Sequence, residues 1–494
     1  MNVLIVLDVG TSNVRGVLFN NKGDILLKKS YSNPPLFLKQ DIVEQDPQSW
    51  VTIVIDILKY LIKEINECKY NLVGISITGQ RSSLICLDQN GDPTANAIMW
   101  QDKRAITIID KLKDNNESIF EKTGSNLNPV YLAPKISWVK FNDKDNDKRI
   151  YHYLSIVDYI AYVLTGEIKT DLTYASRTLL LNLGMKSWDD ELLNLFQIER
   201  DKLSELIEPG EVIGEVTGGI AREIGLNGIV PLISSGGDQQ CGAVGTGVIN
   251  EGKVQLNLGT GGYLITIIDK PPNIDKRNLT INYFSVPNKY MMETSLLNCA
   301  SLINWFTANF YEEEGKDTIY RQIEKDLLSS SPGSNGVILQ PYFQGRGTPD
   351  WNSDIKGSFL NLTLSSKKAD LLHAVIEGIG LELRSHMDIL KENMRMNPEI
   401  IYLSGGLSNS EIISQKISDI MSEELTVYDN TEATALGAFI IAAVRLGLFE
   451  SYEEAFNSSR RKDKKKTYYP DKKQKDFYKE LQSVHQSYYK KLMY

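Results

Sequence analysis

Two acidic residues and a matched pair of glycine–threonine turns hold most of the chemistry open to this 494-residue sequence. Asp8-Val9-Gly10-Thr11-Ser12-Asn13 and Leu258-Gly259-Thr260-Gly261-Gly262 each interrupt an apolar, β-rich run. Glycines let a backbone approach an anion closely, and successive N–H groups form a concave nest of donors. Thr11, Ser12 and Thr260 add hydroxyl donors. Asp8 would repel a bound polyphosphate unless a divalent cation lay between them, and Mg²⁺, which keeps several waters, suits that place. The second acid, Asp238, follows Ile233-Ser234-Ser235-Gly236-Gly237 at an expected helix N-terminus, where an ionised carboxylate is favoured. There it could accept the proton of a hydroxyl attacking phosphorus. A third glycine turn, Tyr402-Leu403-Ser404-Gly405-Gly406-Leu407-Ser408-Asn409, would let a flat group such as a purine lie against the backbone. Singly, each has a plainer explanation as a hairpin, an N-cap or a ligand-free turn. As a pair, the glycine–threonine turns favour a nucleotide.

The elements around these residues repeat. Residues 3–7, 14–19 and 25–27 read as three strands, Trp50 to Ile65 as an amphipathic helix, and residues 73–78 as a further strand. A second strand–turn–strand passage runs over residues 254–268, and Thr260 stands about half a chain from Thr11. Two related domains facing each other across a cleft would each supply one loop. Gly245, Gly247 and Gly252 suggest a hinge, giving domains 1–247 and 248–494. The basic run from Arg460 to Lys466 is expected to be a solvated face ahead of a closing helix.

Composition removes several classes of function. Lys and Arg total 54 against 63 Asp and Glu, a net charge of −9, which argues against a nucleic-acid-binding body. No apolar run approaches the ~20 residues needed to span a bilayer, and the N-terminus lacks a signal-peptide pattern, so a cytoplasmic protein is expected. The four cysteines and four histidines show no paired spacing for zinc or disulfides. No Walker loop occurs, and Gly242-Ala243-Val244-Gly245-Thr246-Gly247 has the wrong spacing and context for dinucleotide binding.

Taken together, these segments resemble the FGGY family of carbohydrate kinases, which includes xylulose and glycerol kinases. Beyond the turns above, Glu44 to Trp50, Trp100-Gln101-Asp102-Lys103-Arg104, Ala133 to Trp138, Gly237-Asp238-Gln239-Gln240 and Gly357 to Leu362 are similar to family segments. Asn361 stands where a glycine is usual and is taken as loop variation. The resemblance implies an α/β fold of two actin-like, ribonuclease H-like ATPase domains flanking a central cleft, with sugar mainly on the first and ATP mainly on the second. It implies Asp238 as general base and Asp8 as a holder of Mg²⁺ through water. Thr11, Ser12, Asn13, Arg15, Gly259, Thr260 and Gly261 would approach the phosphates. Gly405, Gly406 and Asn409 would face the adenosine, with Ala300 and Asn304 beside it. The acceptor would meet Gln80, Arg81, Ser82, Trp100, Gln101, Asp102, Asp238 and Gln239. Glycerol kinases have Arg-Glu and xylulose kinases Met-His where this chain has Arg81-Ser82, so glycerol binding in the usual manner is not expected. The reaction implied is transfer of the ATP γ-phosphoryl group to a terminal hydroxyl of a small ketose or polyol. A glycerol kinase with an altered pocket and a non-catalytic actin-like sensor are the alternatives. Homodimers are common in the family, but no exposed apolar stripe is apparent in the sequence to argue for one.

Overall fold

The computed structural model describes residues 1–39, 41–270, 277–311, 316–429 and 432–493. Its two large sheets share one plan. In the first, Asn2–Val9 pairs antiparallel with Asn13–Asn20, which pairs antiparallel with Ile25–Ser32. On the other side of Asn2–Val9 lie the parallel strands Asn71–Gly79 and Pro231–Gly237. In the second, Lys253–Leu258, Gly262–Ile268 and Tyr290–Leu296 are antiparallel neighbours, and Ile400–Ser404 and Leu425–Tyr428 continue in parallel. The spatial order third, second, first, fourth, fifth is therefore the same in both, and the glycine–threonine turns join the first two strands of each. The repeat expected from Thr11 and Thr260 is a repeat of topology. These are the two actin-like halves of the α/β fold.

The Pro47–Glu67 helix follows its sequence pattern. Asp46 caps it by accepting from Gln48 N–H, proline opens it, and Trp50, Val54, Ile57, Leu58, Leu61, Ile62 and Ile65 are buried. Ahead of it sits an insertion that the strand count missed, the Leu36–Lys39 and Ile42–Gln45 hairpin, which belongs to a separate five-stranded sheet. Leu36, Phe37 and Leu38 are consecutive and exposed on the edge of that sheet. An exposed apolar stripe therefore exists, contrary to expectation.

The two halves meet through the helices Asp238–Thr246 and Ala433–Arg445. A Cβ on Gly245 would lie 1.8 Å from Ala433 O, and one on Gly437 would lie 1.8 Å from Cys241 O. Only glycine allows backbones this close. Gly245 is thus a crossing point inside a helix and does not break it; Gly247 ends that helix as its C-cap at φ 110°. Leu4, Val6 and Phe19 of the first sheet, Ile265 and Ile267 of the second, and Phe439 share one core around this crossing.

In the basic run Arg461, Lys462, Lys464, Lys465 and Lys466 are exposed, as expected, and Arg460 departs. Arg460 is buried, donates from Nε to Gly245 O at 3.2 Å and lies over the Tyr428 ring. Arg461 and Lys462 both reach Asp24. The run fastens the C-terminal segment to the first half. The four cysteines are free thiols. Among the described residues no helix is long and apolar enough to cross a membrane.

Candidate active site

Three parallel strands end side by side in the order Pro231–Gly237, Asn71–Gly79, Asn2–Val9. Asp238, the Gln80–Ser82 turn and Asp8 stand at or just beyond these ends, with Gly79 in register between Val9 and Gly237. Loops beyond the carboxyl ends of parallel strands are the usual ligand-facing edge of such sheets. The shell beneath is fully bonded. Thr78 Oγ1 and Tyr174 OH both donate to Gly236 O, Gly237 N donates to Thr173 Oγ1, and Asp171 accepts from Thr173 and Ser234.

Asp238 is the first residue of its helix, with Gly237 as N-cap. Its Oδ1 accepts from Gln239 N at 2.8 Å and lies 3.6 Å from Arg81 Nε. Burial pushes its carboxyl up to about 6; Arg81 opposes the rise, and Asp8 and Glu293 add to it. That value leaves the group ionised at neutral pH yet able to take a proton, as a general base requires.

Arg81 reaches on to Glu293, with Nη1 and Nη2 each 3.2 Å from Oε2. Gln80 Oε1 accepts from Ser83 Oγ at 3.0 Å and Thr11 Oγ1 at 3.4 Å, and its buried Nε2 has no partner among the described residues. Trp100 Nε1 donates to Thr11 Oγ1 at 3.0 Å, and Gln101 Oε1 is another buried atom without a partner. Thr11 therefore couples the first glycine–threonine turn to the Gln80–Ser82 turn and to Trp100.

Asp102 departs from expectation. Its oxygens accept from Val43 N at 2.7 Å, from Arg104 N and Nε at 2.9 Å and from Arg104 Nη2 at 2.8 Å, and the residue is buried. It fixes the Trp100–Arg104 turn, with both its oxygens bonded within the protein.

Asp8 is buried, and its Oδ2 accepts from Arg15 Nη2 at 2.8 Å. Arg15, expected at the phosphates, is held at this carboxylate and reaches Glu432 at 3.4 Å. Burial pushes the Asp8 carboxyl up, against the pull of Arg15. Ser12 and Asn13 are exposed at the loop tip. Among the described residues no three His, Cys, Asp or Glu side chains converge. Mg²⁺ brought with a triphosphate needs only one or two carboxylates besides phosphate oxygens and water, so the donor set at Asp8 fits it.

In the second half, Ala300 N donates to Gly259 O and Cys299 N to Thr260 O, both at 2.9 Å, which ties the second glycine–threonine turn to the Ala300–Phe310 helix. Asn304 is exposed on that helix. Gly405, at φ 91°, packs so closely that a Cβ would lie 2.6 Å from Leu258 O. The third glycine turn is therefore brought against the second glycine–threonine turn, with Gly406 and Asn409 exposed beside it.

Four residues at this site escaped the sequence reading. Glu293 is the one acid in the apolar strand Tyr290–Leu296, a signal in itself. Tyr263 lies over Gly261, and burial and Glu293 push its hydroxyl up to about 12. Lys135 and Arg177 are buried cations that bond to Ser82, through its O and Oγ respectively.

The model of the FGGY carbohydrate kinase N-terminal domain matches residues 3–245, and that of the C-terminal domain matches residues 254–446. The xylulose kinase of Staphylococcus xylosus is 30% identical over 92% of this chain and 93% of the relative. The gluconokinase of Bacillus subtilis strain 168 is 29% identical over 91% and 89%. A ligand-bound xylulose kinase structure from Lactobacillus acidophilus superposes with a TM-score of 0.93 at 26% identity, covering 100% of this chain and 99% of that one. With both domain models matched in order along the chain, the protein belongs to the FGGY family of carbohydrate kinases.

Proposed function

We propose that the protein transfers the γ-phosphoryl group of ATP to a primary hydroxyl of a small open-chain sugar, with Asp238 as the general base. The observation that carries this reading is the place of the Asp238 carboxyl, just beyond the Pro231–Gly237 strand at a helix N-terminus and 3.6 Å from Arg81 Nε. The acceptor hydroxyl gives its proton to Asp238 as its oxygen bonds to phosphorus, and the bond from phosphorus to the ADP oxygen breaks. Gln80, Arg81, Ser82, Trp100, Gln101 and Gln239 orient the acceptor from the 1–247 domain. Thr11, Ser12, Asn13, Gly259, Thr260 and Gly261 cradle the phosphates, with Arg15 steadying Asp8 beside them; Gly405, Gly406, Asn409, Ala300 and Asn304, in the 248–494 domain, receive the adenosine. Mg²⁺ held through water by Asp8 would neutralise charge on the phosphates. Most of the acceleration comes from alignment and from donors fixed in advance, and closure of the cleft keeps water from the phosphate. The cytoplasm, which supplies ATP, is the compartment that suits this chemistry.

Ketose, polyol and aldonate acceptors share a row of hydroxyls ending in a primary alcohol and differ at the far end. The xylulose kinase and gluconokinase relatives favour the ketose and the aldonate over glycerol. Coupled ADP release against a panel of such sugars tests the reading. Release that rises only with a particular sugar supports it, and release indifferent to every sugar contradicts it.

A further inference from the structure

One charge at the acceptor turn has no counter-charge. Arg177, just beyond the short Leu172–Ala175 helix, is 8% exposed. Its Nε donates to Ser82 Oγ and its Nη1 to Tyr131 OH, each at 3.2 Å, and the guanidinium sits 4.5 Å from the Tyr131 ring centroid. Among the described residues no carboxylate pairs with it. Arg81, Arg104 and Arg346, whose side chains are similarly buried, each hold one, Glu293, Asp102 and Glu382, while the buried Arg384 is met by Ile420 O and Ser422 Oγ.

A second cation adds to the imbalance. Lys135 is fully buried and donates to Ser82 O and Val130 O, both at 2.6 Å. Burial pushes its ammonium down to about 7, with Arg177 and Arg104 lowering it further and Asp102 opposing. Between them stands Ser82, uncharged and at φ 70°, a conformation that side chains other than glycine rarely adopt. Two buried cations therefore meet at one residue of the turn that adjoins Asp238.

The position of Arg177 relative to Asp238 gives it a function. Arg81 touches Asp238, and the next residue, Ser82, touches Arg177. The base and this guanidinium are thus joined by two consecutive residues of one turn, Arg81 on the side of Asp238 and Ser82 on the side of Arg177. A sugar with its primary hydroxyl at Asp238 runs along the turn and presents its far end to Arg177.

We propose that this far end is a carboxylate, so that the preferred acceptor is an aldonate held by Arg177. The inference rests on the carbohydrate kinase reading and narrows it. A planar fork of N–H donors matches a carboxylate better than any hydroxyl, and a charged partner is about twice as strong as a neutral one. Phosphorylation leaves the carboxylate unchanged: the distal hydroxyl loses its proton to Asp238, gains the phosphoryl group and releases ADP.

The test is coupled ADP release by the full chain with gluconate, xylulose and sorbitol as probes, repeated with Arg177→Met and Arg177→Lys. The wild type should show kcat/KM for gluconate at least about tenfold above the neutral sugars. Arg177→Met should raise the KM for gluconate about tenfold more than that for xylulose, with Arg177→Lys in between. Should Arg177→Met fail to fold, the wild-type melting temperature decides, rising more with gluconate than with equal xylulose. Xylulose used as well as gluconate, or KM values raised alike for both sugars, would overturn the inference and leave the kinase standing. ADP release that ignores all three sugars would remove the kinase reading and the inference with it.

Discussion

Arg81 is bound to Glu293 across the cleft, its two Nη atoms each 3.2 Å from Oε2, and its Nε 3.6 Å from Asp238. The partners are 212 residues apart in sequence and stand in different halves. The guanidinium thereby sets the charge felt by the base. Asp238 must be ionised to accept a proton, so kcat/KM should fall as pH drops through about 6. Arg81→Met removes the one cation that lowers the carboxyl, and its acid limb should move to higher pH. Glu293→Gln removes a like charge and should move it to lower pH. An acid limb that stays in place in Arg81→Met contradicts this coupling.

The same carboxyl should cost stability. Its folded pKa is raised from 3.8 to about 6, chiefly by burial, so the folded state prefers the protonated form. That preference is fully present below 3.8 and is lost as pH rises through about 6. Asp238→Asn cannot ionise, so its melting temperature relative to wild type should climb between pH 4 and pH 7. A difference that is flat or falls over this range would show that Asp238 is not held in a desolvated position.

The crossing of Gly245 and Gly437 should tolerate no side chain. A methyl group would stand 1.8 Å from Ala433 O in one case and from Cys241 O in the other. Gly245→Ala and Gly437→Ala should each destabilise the fold by about 1–3 kcal/mol or more, read from thermal or urea unfolding. Gly218→Ala, where a Cβ meets nothing within 4 Å, is the control and should behave as wild type.

Asp8→Asn removes the one buried carboxylate at the first glycine–threonine turn. The Mg²⁺ concentration for half-maximal rate should rise at least about tenfold. Binding of the sugar alone, followed by melting temperature without nucleotide, should change little. An unchanged Mg²⁺ requirement would place the metal elsewhere.

How far the sequence can be read depends on the reach of each interaction. Asp8, Thr260, Asp238 and Gly405 belong to strand–turn units whose meaning is local, so their positions at the strand ends were legible from a few neighbouring residues. Glu293 and Arg177 acquire meaning only through Arg81 and Ser82, partners that folding brings from far along the chain. Gly245 looked like a helix breaker because glycine is as common at bends as at close crossings, and only Ala433 O beside it decides between them. Asp102 looked like a ligand residue until the fold brought Val43 N–H and Arg104 to both its oxygens. Arg460 looked solvated, as basic runs usually are, yet it finds a carbonyl inside the core.

Everything turns on whether Asp238 takes the proton. Single-turnover phosphoryl transfer by Asp238→Asn, measured beside ATP binding to the same variant, addresses this directly. Transfer should fall by roughly 10²–10⁴-fold while ATP affinity stays within a few-fold of wild type. Transfer at a near-normal rate would contradict the assignment of Asp238 as the base.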